Sequence, residues 1–116
     1  MYRLSSKENM KELVYCAHSH YTTDRSRDVA IFVLKQGHFP IDPFLTIPPA
    51  IFDELRYTED ECVDTDINIL ARCDELWIFG GGNTPGVSKE IAWWSKNRAH
   101  RIIKYITWDE VPNVFA

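Results

Sequence analysis

Short apolar runs that alternate with amphipathic segments constrain the fold of this chain more than any other feature. Three runs are clean and a fourth is broken by prolines: LVYCA at 13–17, ELWIF at 75–79, RIIKYI at 101–106 and HFPIDPF at 38–44. Apolar residues recur at helical spacing between them, at 23–36, 59–73 and 86–97. This alternation predicts an α/β domain with an open, mostly parallel sheet of four to five strands and helices on both faces, as in flavodoxin-like and Rossmann-like folds.

Turn and capping residues refine the limits of these elements. Thr23 or Asp24 is a candidate N-cap of the first helix, and Gly37 is a natural C-cap. The segment TIPPAIFDEL, at 46–55, is predicted to be irregular or a single helical turn because its two adjacent prolines disfavour a regular element. The closing segment WDEVPNVFA is predicted to be a tail.

Composition indicates one ordinary globular domain. The chain has 116 residues, 45% of them hydrophobic and 26% charged, and a net charge of −4. We expect a flexible leader at 1–12 and one domain at 13–116. The acidic balance argues against a nucleic-acid partner, and no apolar run approaches the roughly 18 residues of a membrane span. Because MYRLSSKENMKEL lacks the apolar core of a signal peptide, we expect a cytoplasmic location.

The cysteines and histidines indicate neither a disulfide framework nor a metal site. Cys16, Cys62 and Cys73 are widely spaced and are predicted to be buried free thiols. The four histidines show no spacing typical of zinc ligands. We therefore expect no metal and no cofactor.

The glycine-rich loop GGGNTPG, at 80–86, follows a predicted strand at the place where such sheets bind ligands. The carboxyl ends of parallel strands meet at one edge, so the loops after Ala17, Ile41 and Phe79 are expected to lie together. The loop matches neither the Walker A motif nor G-x-G-x-x-G. It is either a bare backbone that receives an anion or a sugar edge at a helix N-terminus, or only a tight turn.

Two carboxylates are predicted on apolar helix faces. At about 100° per residue, Asp66 lies about 60° from the centre of the buried face of its helix, and Glu90 lies about as close to the buried face of the next helix. Either acid can be a structural anion, but carboxylates in apolar surroundings are also candidates for chemistry. A pair of carboxylates is the usual equipment for cleaving a glycosidic bond.

Other candidates have structural alternatives. Tyr15 is either a core residue or part of a site, and Ser19 is either a solvated loop residue or a donor to an anion. The charged stretch DRSRD, at 24–28, is predicted to be a solvated helix start. The adjacent Trp93 and Trp94 favour a dimer surface over a base-stacking platform, because one helix cannot bury both on one face.

From Val14 to Tyr105 the chain resembles the nucleoside 2-deoxyribosyltransferase superfamily. It is most similar to the small members, the 2′-deoxynucleoside 5′-monophosphate N-hydrolases and related bacterial and phage domains. The segments that carry the resemblance are YCAHS, QGHFPIDPFL, DTDINILARCDELWIF, TPGVSKEIAWW and RIIKYI. The stretch GGGNTPGVSKE also bears a weaker similarity to the PGGxGTxxE motif of nucleotide phosphoribohydrolases, which cleave the same kind of bond.

The resemblance implies catalytic roles for three residues. Glu90 matches the nucleophile that attacks C1′ of the deoxyribose, Asp66 matches the acid that helps to hold sugar and base, and Tyr15 matches the tyrosine that hydrogen-bonds the nucleophile. It also implies a small nucleoside or nucleotide as substrate, a homo-oligomer that completes each site, and no metal or cofactor.

The resemblance implies substrate-binding positions as well. Thr84 and Ser19 fall on positions that contact phosphate in the monophosphate hydrolases. Gly82 and Gly86 are candidate substrate-binding residues of the glycine-rich loop at 80–86. His18 and Ser88 stand where the family usually has glycine, and both add bulk where the sugar should approach.

Three functions follow as hypotheses. The chain is an enzyme that cleaves or transfers at an N-glycosidic bond, a non-catalytic nucleotide-binding or sensing module, or an interaction protein whose glycine loop is only a turn. The bulk of His18 and Ser88 motivates the second hypothesis.

Overall fold

The computed structural model describes residues 11–114, so the predicted leader lies outside the described residues except for its last two. The strands are β1 (Leu13–Ala17), β2 (Phe39–Ile41), β3 (Glu75–Phe79) and β4 (Ile103–Ile106). The helices are α1 (Ser26–Lys35), α2 (Pro43–Thr46), α3 (Pro49–Leu55), α4 (Glu59–Leu70) and α5 (Pro85–Asn97). Short 3₁₀ helices cover His20–Arg25 and Trp108–Glu110.

The four strands form one parallel sheet in the order β2-β1-β3-β4. Successive side chains of a strand point to opposite faces, and both faces are covered. Val14 and Cys16 of β1 join a core cluster with α1, whereas Tyr15 and Ala17 join a second cluster with α4 and α5. The fold class predicted from the sequence is confirmed, with four strands in the sheet.

The first helical region differs from its prediction. A 3₁₀ helix precedes α1, and the Ser19 hydroxyl accepts a hydrogen bond from the Tyr21 amide at its start (3.1 Å). Neither Thr23 nor Asp24 therefore caps α1, which begins at Ser26. Gly37 follows the last turn with φ +86°, which is the left-handed conformation in which many helices end.

The proline-rich segment is more regular than predicted. The Asp42 carboxylate accepts a hydrogen bond from the Phe44 amide (2.9 Å) and caps α2, whose first residue is Pro43. Pro49 likewise opens α3. The prediction of an irregular segment was wrong because proline is tolerated at the first helical position, where its missing N–H has no intrahelical partner.

The segment after β4 belongs to the fold, contrary to the prediction of a tail. Arg25 donates to the Val111 carbonyl (2.9 Å), and the Val114 amide donates to the Asp28 carboxylate (3.0 Å). Val111 is buried in the α1-side core. Asp28 is only 2% exposed, so the prediction of a solvated helix start was wrong at this residue.

Two further predictions about buried residues need correction. Trp94 lies in the core with α4 and the sheet, and Trp93 packs against that core, so the two rings do not form an exposed surface together. Cys16 and Cys73 are buried free thiols, but Cys62 is only half-buried. In the described part of the chain, no helix combines the length and the apolar character that crossing a membrane requires.

Candidate active site

A cavity of about 610 Å³ lies at the carboxyl edge of the sheet. It is bounded by the segment after β1, by helices α2 and α3, by the inner face of α4 and by the first turns of α5. This is the edge at which ligands bind in open parallel sheets. The volume lies within the range of small-molecule sites.

Glu90 lines the cavity from the second turn of α5 and is held from below by Tyr15 of β1. The Tyr15 hydroxyl donates a hydrogen bond to Glu90 Oε2, and both side chains are buried. Burial raises the pKa of Glu90 to about 8, the hydrogen bond from Tyr15 lowers it, and the charges of Asp66 and Asp42 raise it. Burial also raises the pKa of Tyr15 well above its usual value, which keeps the phenol a donor.

Asp66 reaches the same cavity from α4. Burial and then the charge of Asp42 raise its pKa from 3.8 to about 6. Its Oδ1 atom is buried and has no hydrogen-bond partner among the residues that the structure describes. A buried acceptor without a partner is costly, so Asp66 is suited to accept a hydrogen bond from a ligand.

His18 and Asp42 form a buried pair beside these acids. His18 Nε2 lies 2.7 Å from Asp42 Oδ2, and His18 Nδ1 lies 2.8 Å from the Thr22 hydroxyl. The pair joins the end of β1 to the start of α2, because Asp42 also caps that helix. His18 lines the cavity and packs edge-on against Phe44 and Trp108. The pair therefore fixes one wall of the site.

The glycine loop is explained largely by close packing. A Cβ on Gly80 would lie 2.1 Å from Nε1 of Trp108, and one on Gly82 would lie 2.5 Å from Cδ1 of Ile91. Neither glycine lines the cavity. The tight-turn interpretation therefore accounts for these two positions, whereas Thr84 and Gly86 do face the cavity.

A family model described as Domain of unknown function (DUF7768) matches residues 12–105 of the chain. The chain belongs to this family. Comparison of the DUF7768 domain with curated proteins and with solved structures finds no match in either set.

The DUF7768 domain brings together most of the residues singled out from its sequence. The cavity is lined by five of them, namely His18, Asp66, Thr84, Gly86 and Glu90. Tyr15 lies directly beneath Glu90. The remaining three do not line it: Ser19 caps a 3₁₀ helix, Gly82 packs on α5, and the Ser88 hydroxyl donates to the Gly82 carbonyl (2.8 Å).

Sequence reasoning missed Asp42 and the aromatic wall of the site. Asp42 lies between Pro40 and Pro43 in PIDPF, and Asp-Pro is a helix-start signal that identifies the cap but not the histidine partner. Phe44 and Phe52 face the cavity from α2 and α3. Their segment had been predicted as a broken strand followed by an irregular stretch, so no inward face could be assigned. Within residues 11–114, no cluster of His, Cys, Asp and Glu is arranged to hold a metal ion.

Proposed function

We propose that this domain cleaves or transfers at the N-glycosidic bond of a nucleoside or nucleotide, with Glu90 acting on the anomeric carbon. The observation that carries the proposal is the buried Tyr15–Glu90 pair at the base of a strand-end cavity that also holds Asp66. Perturbed carboxylates in a cleft of this kind are typical of active sites. The resemblance to the nucleoside 2-deoxyribosyltransferase superfamily supports the same roles.

The chemistry requires little beyond these groups. The bond from C1′ to the base nitrogen breaks, its electron pair goes to the base, and the base takes a proton from solvent water. The ionised Glu90 carboxylate stabilises the cation-like C1′ or bonds to it, and water or a second base then completes the reaction. Asp66 accepts a hydrogen bond from the ligand and holds it in place. The proposal needs no metal or cofactor, and includes a cytoplasmic location and a homo-oligomer.

A non-catalytic nucleotide-binding or sensing module is the second candidate. The observation that favours it is the burial of Glu90, which is 6% exposed, and this burial raises the pKa of the carboxyl to about 8. At neutral pH most Glu90 side chains are then protonated in the free protein, and a protonated carboxyl is a poor nucleophile but a good hydrogen-bond donor. The same pocket would then hold an intact ligand.

Release of free base, followed by chromatography, separates the two functions. Wild type, Glu90→Gln and Glu54→Gln are incubated with ribo- and deoxynucleosides and with their 5′-monophosphates. Glu54 is exposed on α3 and does not line the cavity, so its variant is the matched control. We expect base release by wild type and Glu54→Gln, and a loss of about 10³-fold or more in Glu90→Gln.

The other outcomes are equally informative. If no protein releases base but one ligand raises the melting temperature of wild type, the binding module is supported and catalysis is rejected. If Glu90→Gln retains wild-type activity, the role given to Glu90 is wrong.

A further inference from the structure

The charge of the cavity lining narrows the class of ligand. Four carboxylic acids line it: Asp53, Glu59, Asp66 and Glu90. Of the residues that the structure describes, no lysine or arginine lines it, and its basic side chains are His18 and His20. His18 is already engaged by Asp42 and Thr22 through its two ring nitrogens. His20 is exposed and lies against the Tyr21 ring.

Lys89 and Ser88, near the start of α5, already have partners outside the cavity. This is the end of the helix where backbone N–H groups would favour an anion. Lys89, in the second turn, is paired with Asp60 of α4 and is 48% exposed at its side chain. The Ser88 hydroxyl donates to the Gly82 carbonyl. Ser19 is occupied as a cap outside the cavity lining. A phosphate here would meet the Thr84 hydroxyl and backbone alone, in a cavity that Glu59 of α4 also lines.

We infer that the cavity takes a nucleoside without a 5′-phosphate, and that the acidic lining discriminates against nucleoside monophosphates. This inference rests on the proposed function. It differs from what the resemblance to monophosphate hydrolases implies for Ser19 and Thr84.

Both the hydrogen-bonding groups and the charge of the cavity lining favour a nucleoside without a 5′-phosphate. The hydroxyl and amino groups of a nucleoside are donors, and the buried Oδ1 of Asp66 is an acceptor without a partner. A 5′-phosphate carries nearly two negative charges at neutral pH and would lie near the carboxylates of Asp53, Glu59 and Asp66, which repel it. Such a phosphate needs a cationic clamp, which this lining does not supply.

The test compares kcat/KM for base release from each nucleoside with that from its 5′-monophosphate. We expect the nucleoside to be preferred by at least about ten-fold, and the preference to shrink as salt is added, since charge repulsion is screened. Equal or better use of the monophosphate would overturn the inference while leaving the glycosidase proposal intact. An unchanged preference in high salt would overturn the electrostatic explanation, and with it the inference.

A charge reversal provides the matched pair of variants. Asp53→Lys places a cation at the cavity wall, and Asp64→Lys makes the same change on the exposed outer face of α4. Asp53→Lys is expected to improve use of the monophosphate relative to the nucleoside by about five- to ten-fold, and Asp64→Lys to leave the ratio unchanged. Equal effects of both variants, or none from Asp53→Lys, would contradict the inference.

Binding separates this inference from the glycosidase proposal. Calorimetry with Glu90→Gln measures the dissociation constants of a nucleoside and its monophosphate without turnover. Tighter binding of the nucleoside supports the inference even if wild type releases no base. Tighter binding of the monophosphate, or no binding of the nucleoside, overturns it.

Discussion

The Tyr15 hydroxyl is placed to decide how readily Glu90 ionises. It donates to Oε2 of Glu90, and this hydrogen bond opposes the effect of burial on the pKa of that carboxyl. A nucleophilic role requires the ionised form, so base release should rise with pH through the pKa of Glu90, about 8 in the free protein.

Replacing Tyr15 by phenylalanine should move that rise to higher pH. The variant loses a donor that favours the ionised carboxylate, and a hydrogen bond to a charged group corresponds to roughly one to two pH units. A pH–rate profile of kcat/KM measures the shift. Tyr105→Phe is the control, because Tyr105 is 61% exposed on β4. A profile in Tyr15→Phe that is unchanged, or shifted to lower pH, would contradict the role given to Tyr15.

Glu90 should also make folding stability depend on pH. Its pKa in the folded protein, about 8, is above the usual 4.5, so the folded state binds the proton more tightly than the unfolded state. The contribution of Glu90 to the free energy of unfolding is complete below about pH 4.5 and is lost as the pH rises toward 8. The loss is a few kcal/mol at most. Asp66, whose pKa is raised from 3.8 to about 6, adds a smaller loss of stability between these two pH values.

Glu90→Gln should therefore flatten the fall in stability between pH 5 and pH 8.5. Urea unfolding across this range measures the free energy of unfolding, with Glu54→Gln as the control that keeps the wild-type slope. If Glu90→Gln loses stability with pH as steeply as wild type does, Glu90 is not protonated in the folded protein as described.

Among the elements, the segment after β4 depends on a glycine in the loop after β3. Gly80 has φ +78°, and an added Cβ would lie 2.1 Å from Nε1 of Trp108. Gly37 has a similar φ of +86°, but nothing lies within 4 Å of its added Cβ. Substitution at Gly37 therefore tests backbone strain alone, whereas substitution at Gly80 tests backbone strain together with a steric clash.

Alanine at these glycines should destabilise the domain to different extents. Gly37→Ala is expected to cost about 1 kcal/mol from its positive φ alone. Gly80→Ala should cost a further 1–3 kcal/mol because Trp108 must move. The free energy of unfolding in urea measures both. Equal losses in the two variants would show that Trp108 does not pack on Gly80.

The elements differ in how far their sequence predicts them. The limits of β1 and β3 follow from short apolar runs that are buried on both faces. The helix α4 was predicted at 59–73 and ends at Leu70. The segment after β4 could not be predicted, because its hydrogen bonds to Arg25 and Asp28 link residues 86 positions apart. Local sequence patterns carry no information about such contacts.

In the whole molecule, the order of the strands brings residues from distant parts of the sequence together in one site. Helical periodicity predicted Asp66 and Glu90 on apolar faces, and the parallel direction of the strands predicted that the loops would meet at one edge. The pairing of Tyr15 with Glu90 spans 75 positions and that of His18 with Asp42 spans 24. Periodicity indicated neither pair, and the resemblance implied only the first. The chemistry of the site was thus partly predictable, but its acidic lining was visible only in three dimensions.

A crystal structure of Glu90→Gln with an uncleaved nucleoside will show whether residue 90 faces the anomeric carbon of the bound ligand. We expect C1′ within about 3.5 Å of the residue 90 carboxamide, and a ligand donor on Oδ1 of Asp66. A nucleoside bound outside the cavity, or bound with C1′ turned away from residue 90, would contradict this expectation.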